Sequence, residues 1–117
     1  MLRKTIAAGL VSLVSLVSTE ALPVIASYPA TQWSGTRFNA SKDVCVSNAT
    51  AALQANKFFE INSSGINVYG HTAQTVATIF CTPSNNAIYL IVVVSSNNSE
   101  EAERLHNQIR QKILTLK

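Results

Sequence analysis

Residues 87–95 run Ala87-Ile88-Tyr89-Leu90-Ile91-Val92-Val93-Val94-Ser95. β-Branched and aromatic side chains fill nearly every position, and the turn-forming run Pro83-Ser84-Asn85-Asn86 leads into them, so the segment predicts a β-strand. Side chains alternate between the faces of a sheet, so Ile88, Leu90, Val92 and Val94 take one side and Tyr89, Ile91 and Val93 the other. A strand with one wet face alternates apolar with polar residues, and this one is apolar on both. The second side therefore needs a cover or a partner.

Working outward, Thr75 to Thr82 predicts the strand before that turn. Phe59 to Asn62 and Asn67 to His71 read as one strand, interrupted or bulged at Ser63-Ser64-Gly65. After residue 95 the period changes: Ala102, Leu105, Ile109, Ile113 and Leu116 recur at steps of three and four, the stripe of an amphipathic helix. Asn98 and Glu101 have the spacing of a capping box, Glu100 is placed to pair with Arg104, and Lys112 and Lys117 suit the C-terminal end. An earlier helix is expected over 42–55, capped by Asn39 or Ser41, with Asp43 in its first turn, Cys45, Ala49, Ala52 and Leu53 on one face, and Asn56 as a left-handed stop. Residues 27–40 have no helical period and predict an extended arm, docked through Trp33 and Phe38. The expected fold is α+β in the order α-β-β-β-α: a small antiparallel sheet with both helices on one face, forming a single domain over 41–117.

The first 26 residues read as a signal peptide. Arg3 and Lys4 form a basic head, Thr5 to Ser18 an apolar run, and Val24-Ile25-Ala26 a small-residue end before Ser27. Glu20 and Pro23 interrupt the run too early for a spanning anchor, which needs about 20 apolar residues. Secretion or periplasmic delivery is therefore expected, with no membrane attachment after cleavage. Without the leader, nine basic and six acidic residues become seven and five, a net charge of +2. So small and dispersed a charge does not argue for nucleic acid or an anionic membrane, and no nucleic-acid partner is expected.

In an oxidising compartment Cys45 and Cys81 are expected to pair. Closing a loop of about 37 residues would contribute about 4 kcal/mol. The bridge also sets direction: if Cys81 points at the helices, so do Ala77 and Ile79, while Val76, Thr78 and Phe80 face away. Val76, Phe80, Tyr89, Ile91 and Val93 then form the candidate binding or interface surface. Three covers are open: the arm with Trp33 and Phe38, a second copy of the chain as a homodimer, or an outside small ligand or protein. The arm can instead pair as a further strand beside 87–95.

No motif for a metal, cofactor or phosphate is present, and the two histidines, His71 and His106, have no ligand spacing. His71, beside the Tyr69-Gly70 bend, is the better candidate for chemistry, with Glu60 or a serine as its partner. Glu100, Glu101 and Glu103 open a helix, where acidic residues have a structural reason to be. Sequons stand at Asn39, Asn48, Asn62 and Asn97, with Asn48 inside a predicted helix. The helix-strand-strand-strand-helix order resembles that of double-stranded-RNA-binding domains, whose second helix opens on a basic cluster. Ser99-Glu100-Glu101-Ala102-Glu103 carries the opposite charge there, which argues against RNA. The expected function is a non-enzymatic exported module that binds or self-associates through the apolar sheet face, the alternative being a small secreted hydrolase or lyase centred on His71.

Overall fold

The computed structural model describes residues 30–116. The expected leader, the first residues of the arm and Lys117 lie outside them. Seven elements follow in order: β1 (Ala30–Phe38), α1 (Lys42–Ala55), β2 (Phe59–Ser64), β3 (Asn67–His71), β4 (Thr75–Ser84), β5 (Ala87–Ser96) and α2 (Ser99–Thr115). The strands form one antiparallel sheet in the order β1-β5-β4-β3-β2. Both helices cover one face, α1 over β2, β3 and β4, and α2 over β5 and β1. The chain is thus α+β, stapled by a Cys45–Cys81 disulfide.

Within the sheet, one reading changes and one open alternative is decided. Phe59 to His71 is not one interrupted strand but a hairpin, closed by the Ser64↔Asn67 pair. Gly65, with φ 63, is the only loop residue of positive φ, the pattern of a type II′ turn, which takes glycine first. Residues 30–38 neither float nor lie across the sheet; they pair with β5 in an unbroken register from Ala30↔Ser96 to Phe38↔Ile88. Of the two roles open to the arm, strand addition is the one adopted, and among the described residues none covers the far face. The five-stranded result also departs from the double-stranded-RNA-binding order.

Turn chemistry fixes the central hairpin more tightly than the Pro83 to Asn86 run suggested. Pro83 and Ser84 belong to β4, and the turn is Asn85-Asn86 alone, with φ 48 and 65. Two positive φ values make a type I′ turn, which asparagine tolerates. In α1, Ser41 is the cap, its hydroxyl accepting from the Val44 N–H at 3.1 Å. The helix stops with Asn56 at φ −99, and the left-handed residue is Lys57. In α2, Asn98 accepts from the Glu101 N–H at 2.9 Å as its spacing predicts. Arg104 pairs with Glu101 instead of Glu100, through bonds of 2.8 and 3.1 Å.

The core lies between helices and sheet. Cys45, Leu53, Val68, Ile79, Leu90, Val92, Ile109 and Ile113 are fully buried there, and each large aliphatic side chain contributes about 1.5–3 kcal/mol by leaving water. Along β4 burial alternates, with Thr75, Ala77, Ile79 and Cys81 buried and Val76, Thr78, Phe80 and Thr82 half-buried. The cystine thus orients the strand as expected.

Candidate functional site: the open sheet face

The strand registers bring the far-face side chains into rows. Trp33, Val93, Thr78, Tyr69 and Asn62 stand side by side across the five strands. In the next row Gly35, Ile91, Phe80 and Asn67 are neighbours, and a third places Val76 between Ser95 and His71. Four of the five exposed large hydrophobic residues among those described, Trp33, Phe59, Tyr69 and Tyr89, occupy this face. Trp33 is the most open, at 68%. Ile91, Val93, Val76 and Phe80 are half-buried between them. The five residues singled out from the sequence are therefore contiguous.

Trp33, Tyr69 and Phe59 are additions that sequence reading missed. Trp33 was expected to be buried by docking, yet it sits on an edge strand with a neighbour on one side only. Tyr69 and Phe59 reach this face through the hairpin pairing, Phe59 opposite His71 and Tyr69 opposite Asn62, which a single strand over 59–71 does not provide. Tyr89 has a further local reason for its position: its ring lies across Gly35, where a Cβ would fall 2.7 Å from the ring's Cζ. Glycine here is a requirement of close approach.

One corner of the face carries titratable groups. Glu60 and Ile61 together oppose Gly70, a bulge in β2 that holds Glu60 at φ 52. That geometry brings the Glu60 carboxylate to 2.6 Å from His71 Nε2, while Nδ1 lies 3.1 Å from the Thr72 carbonyl oxygen. Phe59 meets the imidazole edge-on, ring centroids 4.6 Å apart. Both neighbours of the ring nitrogens accept hydrogen bonds and neither donates, so the arrangement favours the doubly protonated ring. The His71 pKa is accordingly raised above 6.5, first by the Glu60 hydrogen bond and then by the Thr72 carbonyl, with burial opposing.

The remaining candidates are structural. His106 is buried under β1, where Nε2 bonds the Ser34 hydroxyl at 2.9 Å and Nδ1 the Asn107 side chain at 3.0 Å. Asn48 is also buried, donating to the Ile113 carbonyl at 3.0 Å, so its sequon is inaccessible in the fold. A shallow cleft of about 720 Å³ lies between the β1–α1 loop and the β4–β5 turn, with Lys42 its single charged wall residue. No protein-family model matches this chain, and no curated protein matches it in sequence.

Proposed function

We propose that this chain is an exported, non-enzymatic module that binds a partner through the open face of its sheet. The observation that carries this reading is the clustering of Trp33, Tyr69, Tyr89 and Phe59 on one face that no other described residue covers, around the half-buried Val76, Phe80, Ile91 and Val93. Apolar patches of this kind on a soluble domain mark contact surfaces, and tryptophan and tyrosine are the side chains such contacts favour. Export draws support from the leader pattern and from the cystine, which persists in oxidising compartments.

The experiment is recovery of the natively exported protein with whatever co-purifies, repeated with Tyr89→Asp and Ile91→Asp. Loss of the associated species with the melting temperature preserved is the expected result. Association that survives both substitutions rejects the reading.

A second reading, a hydrolase or lyase centred on His71, is favoured by the 2.6 Å Glu60 contact. A general base, however, needs a ring nitrogen free to take a proton from substrate. Both nitrogens of His71 are engaged, which ranks this reading second. It expects His71→Ala to abolish an activity while leaving stability intact; a broad hydrolase and lyase substrate screen with no activity to abolish discards it.

A further inference from the structure

We propose that the outer edge of β1 is a pairing edge, to which a second copy of this chain adds antiparallel about a two-fold axis at Gly35. The two edges of the sheet are built differently. β2 has six residues, a bulge at Glu60-Ile61 and an exposed carboxylate, devices that prevent another strand from adding. β1 has nine residues in unbroken register, no proline, no bulge and one charge, Arg37, near its end. Soluble proteins blunt a long flat edge unless it has a partner.

The sequence of β1 complements itself. With Gly35 on the axis, Trp33 stands opposite the partner's Arg37 on the open face, and the contact occurs twice by symmetry. A guanidinium over an indole is an attractive pair. Trp33 and Arg37 are both exposed, and Arg37 is held in place by one bond, from Nη2 to the Asn85 carbonyl at 3.0 Å. Registers displaced by two residues set Trp33 against glycine or asparagine and lose the cation. On the helix side the same register faces Ser34 with the partner's Thr36, both small. Pairing in this way puts both helical layers on one side and makes the two open faces continuous. It does not depend on what the face binds.

The test is sedimentation of the oxidised protein over a range of concentrations, with folding followed by circular dichroism. Wild type is expected to dimerise. Trp33→Lys places like charges together across the axis and should weaken the dimer by at least about tenfold. Adding Arg37→Glu to Trp33→Lys should restore it to within about threefold of wild type. Residues 33 and 37 are about 13 Å apart along one strand, so such restoration reports a contact between copies. A monomeric wild type, or a double variant that fails to recover, overturns the proposal. So does a dimer indifferent to Trp33→Lys but lost in Tyr89→Asp, an outcome that would assign self-association to the open face.

Discussion

His71 has an imidazole whose two hydrogen bonds both run to acceptors, Glu60 and Thr72. Its folded pKa is raised, so any stability the pair contributes is fully present below the unfolded value near 6.5 and is lost as pH rises through the folded value. The pair is solvent-exposed, which keeps that contribution small. NMR titration should place the His71 midpoint above 6.5, and Glu60→Gln should return it toward 6.5. An unchanged midpoint in the variant would remove the carboxylate as the cause. The pairing was partly legible in the sequence, since Glu60 was a candidate partner. Its mechanism was not, because a glutamate in left-handed backbone at a bulge has no local signature and glycine is the usual occupant.

Among the elements, the helices were the most readable. The apolar stripe of α2 and the small-residue face of α1 leave few alternatives, and Ser41 and Asn98 mark both starts. The strands beyond β4 and β5 were less so: the same Ser63-Ser64-Gly65 sequence suits a bulge or a hairpin, and pairing decides. β1, ATQWSGTRF, has no apolar alternation to mark it as a strand, and its place is fixed by the register with β5. Neither could sequence show that Asn48 of α1 holds the end of α2, a link across 65 residues. Its amide donates to carbonyls that the last helical turn cannot satisfy internally. Asn48→Ala should therefore cost about 1–3 kcal/mol in urea unfolding. Asn48→Asp should cost more, because a carboxylate would face those carbonyls at the negative end of the helix dipole. Wild-type stability in both variants would show that the link contributes nothing.

At the scale of the whole molecule, the cystine joins α1 to β4 and so ties the helical layer to the sheet. Reduction should cost about 4 kcal/mol, lowering the melting temperature by about 20 °C for a domain of this size. A shift of only a few degrees would mean that packing alone fixes the layers. Direction was legible from this bridge: once Cys81 points inward, the outward set Val76, Thr78 and Phe80 follows. Whether the arm covers that set was not legible, because extended polar sequence serves equally as a lid or as an edge strand, and only the register with β5 distinguishes them.

Chain order has a consequence for synthesis. Residue 30 finds its mate at residue 96, so the earliest described strand waits for one of the latest. In a polypeptide leaving a ribosome head first, the α1, β2, β3 and β4 region can gather locally while the β5 partner of Trp33 is still missing. Closure of the outermost strand is then a late, slow event. Nascent chains arrested before residue 88 should be open to proteolysis around 30–38 and prone to clump through that segment, whereas completed ones should resist.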